Sequence, residues 1–273
     1  MNIVKKNHRE NAITLSNGKK VIQPPSYTIP ILFLLLLAIG ISVKITGFDF
    51  VVLLKRGEQF FVILIQMIPP DFSYLSNIWG PLFDTMKMSI LGSVIGAVVA
   101  IPFSVAASSN IIKNPVLISL IRLFLSIIRT LPTLVSALIA TYVFGLGTFA
   151  GTTAIAVFTF AYVGKLLYEQ IETVDMGSYE ALEALGATKF HSFLYAVVPS
   201  ILPGYLSNCL FCFEGNVRYA SILGYVGAGG LGMILNEKIG WREYNKVGMI
   251  LLALFLTVIL IEYISYRIRE KLV

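Results

Sequence analysis

The sequence predicts an all-α integral membrane protein with about six transmembrane helices. Three observations carry that expectation. Of 273 residues, 56% are hydrophobic and only 13% charged, which is about half the charged share of an ordinary soluble domain. The apolar residues gather in several long uncharged runs, each able to cross about 30 Å of hydrocarbon at roughly 1.5 Å per residue. The basic residues behind the net charge of +6 cluster at Lys5, Lys6, Arg9, Lys19 and Lys20, and again at Arg267, Arg269 and Lys271. Both clusters flank apolar helices, so they read as charge that orients a membrane protein and not as a nucleic-acid surface.

Taken in order, residues 1–28 form a polar tail that ends in the Pro24-Pro25 break, and 29–46 form the first transmembrane helix. No small-residue cleavage site follows that helix, so it is expected to be retained. Residues 47–82 form an extracytoplasmic loop, with a short apolar piece from Phe60 to Ile68 that stops at Pro69-Pro70 and suits the membrane interface better than a crossing. Residues 83–273 form the core. Its first helix runs from Phe83 to Ala107, with Gly92, Gly96 and Ala100 four apart on one face, a spacing that lets a neighbour approach closely. The stretch from Pro115 to Gly145 is too long for one crossing and breaks at Arg129-Thr130-Leu131-Pro132, an elbow before the third helix. Further helices are expected over Thr148–Leu167, Phe193–Phe213 and Val247–Tyr266, with a broken Gly-rich segment from Asn216 to Leu235. An even number of crossings puts both basic termini in the cytosol, together with segment 168–192.

That cytosolic segment contains Ser178, a candidate cap, Glu180 in the first turn, a shared face of Ala181, Ala184 and Leu185, and Gly186, which can take the left-handed conformation that ends a helix. The product is a small, low-profile helix that another protein can approach, or one that rests on lipid headgroups. Glu180-Ala181-Leu182, glycine at the seventh position (Gly186) and proline thirteen residues later (Pro199) resemble the EAA loop of binding-protein-dependent importer permeases. The resemblance implies a type I ABC importer permease fold in which loop 175–199 carries a cytosolic coupling helix. The expected ATPase-coupling residues are Glu180, Ala181, Leu182, Gly186 and Pro199. Leu182 departs from the usual alanine, and Ala196 and Val198 stand where isoleucine and leucine are usual; all three remain apolar.

Further landmarks resemble the permeases of phosphonate importers: Arg129-Thr130-Leu131-Pro132, the run from Gly145 to Gly151, Gly164-Lys165-Leu166, Glu169, the run from Glu214 to Arg218, and the run from Leu223 to Gly232. This similarity, from Phe83 to the C-terminus, implies an ATP-driven importer of phosphonate or a related phosphorus oxyanion in a bacterial cell membrane. The implied partners are ABC ATPase subunits, an extracytoplasmic substrate-binding protein, a second permease chain in a homodimer, and membrane lipid, with no nucleic acid. The chain itself has no G-x-x-x-x-G-K-[ST] sequence, so it is expected to be non-catalytic and to carry no cofactor, with ATP hydrolysed by a separate subunit.

Several residues support two readings. Glu214 and Arg218, four apart on one helix, form either a structural pair or, with Asn216, part of a substrate path. Arg129 either meets an anion there or reaches to the headgroups. Gly227, Gly229, Gly230 and Gly232 mark either a gating hinge or tight packing; they match a dinucleotide fingerprint but lack its βαβ setting. Cys209 and Cys212 lie on an apolar helix without further metal ligands, and His8 and His191 lie apart in polar segments. An ion-coupled secondary transporter would need carboxylates at the midplane, and an intramembrane enzyme would need facing catalytic groups; the sequence favours neither.

Overall fold

The computed structural model describes residues 12–14, 20–22 and 27–272. The tail's charges at Lys5, Lys6, Arg9 and Lys19, His8 and the Pro24-Pro25 break lie outside them. The chain divides into two compact units, Met1–Phe61 and Val62–Val273.

In the first unit, β1 (Ala12–Thr14) pairs antiparallel with β2 (Lys20–Ile22), Ile13 opposite Val21. These three-residue strands qualify the all-α expectation for the tail. Helix α1 (Thr28–Thr46) follows the predicted bounds within a residue and ends where Gly47, at φ 64°, returns its N–H to the Val43 carbonyl. None of its side chains is buried by the chain itself. Helix α2 (Phe50–Gln66) is longer than the expected interfacial piece. Asp49 caps it by accepting from Val51 N at 2.8 Å, and Lys55, Arg56 and Glu58 interrupt the apolar run without breaking the helix.

The second unit takes in the end of α2 from Val62, then a 3-10 turn, Phe72–Tyr74, capped by Asp71, and the long helix α3 (Leu75–Ala107). α3 starts eight residues before the expected Phe83 because Pro81 lies within it and does not end it; membrane helices tolerate such prolines when neighbours meet the freed backbone groups. α3 packs closely on α6 (Thr148–Glu172). A Cβ at Gly96 would stand 2.5 Å from the Ala156 carbonyl, and one at Gly92 would stand 2.7 Å from Ile155. The small-residue face therefore sets this approach.

Helix α4 (Pro115–Thr130) is capped by Asn114, and α5 (Thr133–Phe144) leaves it at 91°, with Pro132 at the break. A short helix α7 (Gly177–Ala184) and a single turn α8 (Lys189–Ser192) connect α6 through a π-helical turn, Phe193–Val197, to α9 (Val198–Leu223). α9 extends ten residues beyond the expected Phe213. The broken segment is consequently shorter than expected: a 3-10 turn, Gly224–Val226, and a short glycine loop to Gly230 are followed by α10 (Leu231–Gly240) and α11 (Tyr244–Glu270). Among the described residues, five helices are long and apolar enough to cross a membrane, and the bent pair α4–α5 supplies a sixth if it is one broken span.

Candidate functional site

The segment joining α6 to α9 is built on a buried base and an open outer face. Tyr179 of α7 packs with Leu167 and Ile171 of α6, with Val197 of the π turn and with Ile201 of α9. Burial, and then the Glu183 carboxylate 3.3 Å away, hold the Tyr179 phenol above its ordinary range. Leu182 is half-buried on this inner side, whereas Glu180, Ala181, Ala184 and Leu185 are exposed, Leu185 to 85%.

The two ends of α7 differ in how they match the sequence. Gly186, at φ 90°, ends it as expected: its N–H donates to the Glu183 carbonyl at 2.9 Å and Ala187 N donates to the Leu182 carbonyl at 3.0 Å, the paired bonds of a Schellman motif. The start differs. α7 begins at Gly177, so Ser178 lies inside the first turn, and the Asp175 side chain receives the Gly177 N–H at 3.0 Å instead. Pro199 is exposed in the first turn of α9, beside the π turn. Proline has no N–H for the preceding turn, which favours a local widening there.

Halfway along the long helices, polar side chains tie three of them together. Asn216 of α9 is 1% exposed and donates from Nδ2 to Ser93 Oγ of α3 and Thr159 Oγ1 of α6, both at 2.8 Å. Its Nδ2 clamps these helices together, while Oδ1 is buried without a hydrogen-bond partner among the described residues. The expected Glu214–Arg218 pair is corrected. Glu214 is 6% exposed and accepts from Arg269 Nη2 of α11 at 2.8 Å. Arg218, one turn further along α9, is exposed and borders a cavity of 370 Å³ between α6 and α9. Its guanidinium has no hydrogen bond or ion pair among the described residues. Arg129 is exposed at the last turn of α4, away from that cavity's lining.

The glycine-rich turn after α9 is at once a backbone break and a tight contact. Gly227, Gly229 and Gly230 have φ of 81°, 84° and 72°. The Gly227 carbonyl accepts from Gly147 N at 2.9 Å, and Thr85 Oγ1 of α3 accepts from Leu231 N at 2.8 Å. A Cβ at Gly229 would stand 2.9 Å from Thr148 N, and one at Gly232 would collide with the Ser221 carbonyl. The turn thus seats the start of α6 against the end of α9.

A family model described as "Binding-protein-dependent transport system inner membrane component" matches residues 92–272. The chain belongs to this family. The permease is 32% identical over 212 residues to the phosphate-import permease PhnE of Mycolicibacterium smegmatis, an alignment covering 77% of this chain and 40% of that protein's length. It is 33% identical over 205 residues to the phosphite transport system permease PtxC of Stutzerimonas stutzeri, covering 75% and 74%. Its fold matches a chain of the MetNI methionine ABC transporter, solved in inward-facing conformations, with TM-score 0.67 and 23% identity over 74% of this chain and 99% of that one. The fold is therefore that of a type I ABC importer permease, and the chain is a non-catalytic, multi-pass inner-membrane subunit and not an ion-coupled secondary transporter. The matched stretch takes in α7, the Asn216 clamp, Arg218 and the glycine turn.

The permease also has a cluster that sequence reasoning missed. Glu172, at the end of α6, accepts from Arg122 of α4 and from Ser109 N and Oγ; Arg122 donates to the Ala107 carbonyl at 2.8 Å and lies 4.8 Å from the Tyr168 ring centroid. The cluster ties the α3–α4 connection to the base of α6, beside the buried side of α7. A signal was present: Arg122 is a charge within the apolar run that follows Pro115, and such charges seek partners.

Proposed function

We propose that this permease forms the pathway of an importer for a small phosphorus oxyanion, phosphonate, phosphite or phosphate, and that α7 is where a separate ATPase drives it. The observation that carries the substrate class is the 32–33% identity, over three quarters of this chain, to permeases whose names specify phosphate and phosphite. Arg218 supports it, as an unpaired guanidinium beside a cavity offers a fork of donors matched to tetrahedral oxygens.

On this reading Glu180, Ala181, Leu182, Gly186 and Pro199 serve coupling: the exposed Glu180, Ala181, Ala184 and Leu185 face the ATPase, the half-buried Leu182 lies behind them, Gly186 sets the helix end, and Pro199 opens α9 beside the π turn. The permease works as a homodimer, with two ATPase subunits and an extracytoplasmic binding protein that delivers the substrate. Both termini and α7 lie in the cytosol, and Gly227, Gly229, Gly230 and Gly232 form a hinge at the outer end. Arg129 approaches the path only from its rim.

The test is uptake of radiolabelled phosphite, methylphosphonate and phosphate by cells that lack other phosphorus importers and express the permease with its ATPase and binding protein. ATP-dependent uptake of at least one oxyanion, lost when the permease is omitted, is expected. Uptake of none of the three, with all subunits present in the membrane, overturns the substrate reading.

A further inference from the structure

The inner side of α7 rests on a third element besides α6 and α9. The connection from α3 to α4, residues 108–114, reaches it: Ile111 packs in the cluster that holds Tyr179, together with Val174 and Met176. Asn110 Nδ2 donates to the Ile171 carbonyl at 2.8 Å and lies 3.4 Å from Met176 Sδ. The residues on which α7 is seated therefore include the start of the route into α4.

Arg122 makes α4 part of the same seat. Its Nε and Nη2 donate to the Ala107 carbonyl at 3.0 and 2.8 Å, one of the last carbonyls of α3, which a helix leaves without a partner of its own. The guanidinium also donates to Glu172, whose carboxylate accepts the Ser109 N–H at 2.8 Å and the Ser109 hydroxyl. One arginine of α4 thus fastens the end of α3, the end of α6 and the connection between α3 and α4. Further along, the contacts of α4 are apolar. Leu125 lies 3.4 Å from where a Cβ at Gly164 would stand, and the Phe124 ring lies 6.3 and 6.2 Å from those of Phe103 and Phe160. Apolar contacts are non-directional, whereas the forked guanidinium holds one register. At its far end α4 turns through 91° at Pro132 into α5, where Ala137 and Ala140 pack with Ala220 and Leu223 of α9 and Ala228 of the glycine turn. The bent pair is a route from the inner side of α7 to the glycine turn that is separate from the α6–α9 pair.

With α7 read as the ATPase contact, we propose that Arg122 and Glu172 are positioning residues for coupling: they lock α4 to the end of α6, so that a displacement of α7 carries α4 and its elbow with it. Without the pair the ATPase still docks and hydrolyses ATP, but α4 slips along its apolar contacts and less substrate moves per ATP. A pair that merely held the fold together would lower hydrolysis, transport and thermal stability in step.

The experiment uses the complete importer in lipid nanodiscs, in a background lacking Cys209 and Cys212, with spin labels at Leu120→Cys on α4 and Thr173→Cys just after α6, both exposed positions. The separation of the labels is read before and after trapping with ATP and vanadate. With the pair intact it is expected to stay the same; in Arg122→Gln it is expected to shift by about 2 Å or more on trapping. The distance is read without substrate, so it decides the point whichever oxyanion is carried. In proteoliposomes, phosphite taken up per ATP hydrolysed is expected to fall about threefold or more in Arg122→Gln and less in Arg122→Lys, with hydrolysis within about twofold of the unaltered importer. Should Arg122→Gln not insert, Arg122→Lys and Glu172→Gln carry the same comparison. An unchanged separation on trapping in the inserted variants, or uptake and hydrolysis that fall equally, overturns the positioning role. Leu185→Asp, in the same preparation, is expected to lose ATPase co-purification. Full co-purification and uptake by Leu185→Asp would fail the reading of α7, and this inference with it, a result distinct from unaltered behaviour of the Arg122 and Glu172 variants.

Discussion

Replacing Arg269 with glutamine isolates the buried ion pair between α9 and α11. Glu214 is 6% exposed, and its one ionic partner among the described residues is Arg269, at 2.8 Å. Removing the arginine strands a carboxylate among helices, an event that costs about 3–5 kcal/mol. At roughly 2–4 °C per kcal/mol for a domain of this size, Arg269→Gln should lower the melting temperature by about 6–20 °C. Glu214→Gln should cost less, about 1–2 kcal/mol, because the Arg269 side chain is 25% exposed and can turn to the headgroups once released. The double variant should regain part of the loss, giving a coupling of about 1–3 kcal/mol. Thermal unfolding of the assembled importer in lipid nanodiscs measures all three, and the same cycle run with Arg218→Gln in place of Arg269→Gln should show no coupling to Glu214. Additive losses at 214 and 269, or coupling between 214 and 218, would refute the pairing and restore the one expected from spacing along the helix.

Two further outcomes follow from the coupling segment. Gly186→Val puts a β-branched residue at φ 90° with nothing within 4 Å of the new Cβ, so the cost of about 1–3 kcal/mol is backbone strain and not collision; the variant should insert yet lose ATP-driven uptake, with Gly186→Asn milder, and normal transport by the valine variant would remove Gly186 from coupling. In a background lacking Cys209 and Cys212, a cysteine at position 189 should resist an impermeant maleimide in intact cells while one at 241 reacts; labelling of 189 from outside would invert the topology.

How legible each part was in the sequence depends on whether its partners are local. The helix-ending role of Gly186, the elbow at Pro132 and the close face of Gly92, Gly96 and Ala100 are written in a few adjacent residues, and the structure shows each. The end of α9 was not legible, because Glu214, Asn216 and Arg218 look like the polar close of a membrane helix. They stay within it because Ser93, Thr159 and Arg269, from three other helices, satisfy two of them. Spacing alone suggests the neighbour four residues away as Glu214's partner, whereas the true one is 55 residues distant. The extent of α2 was hidden for a different reason: Lys55, Arg56 and Glu58 read as loop until the helix gives them a polar face. Of the candidate site, the residues of α7 were visible through their pattern, while the cavity beside Arg218 depends on how α6 and α9 meet.

Tyr179 gives the small helix α7 a mechanical character. Its ring is keyed between the lower ends of α6 and α9, and those helices are fastened again halfway up by the Asn216 amide and Thr159. Two anchorages along the same pair of rods resist shear between them, so a push on the exposed side of α7 arrives higher up as a tilt of both rods together. Beyond the second anchorage lies the short glycine turn, which seats the end of α9 against the start of α6. A displacement applied at α7 would therefore move both rods as one body, and not slide one along the other.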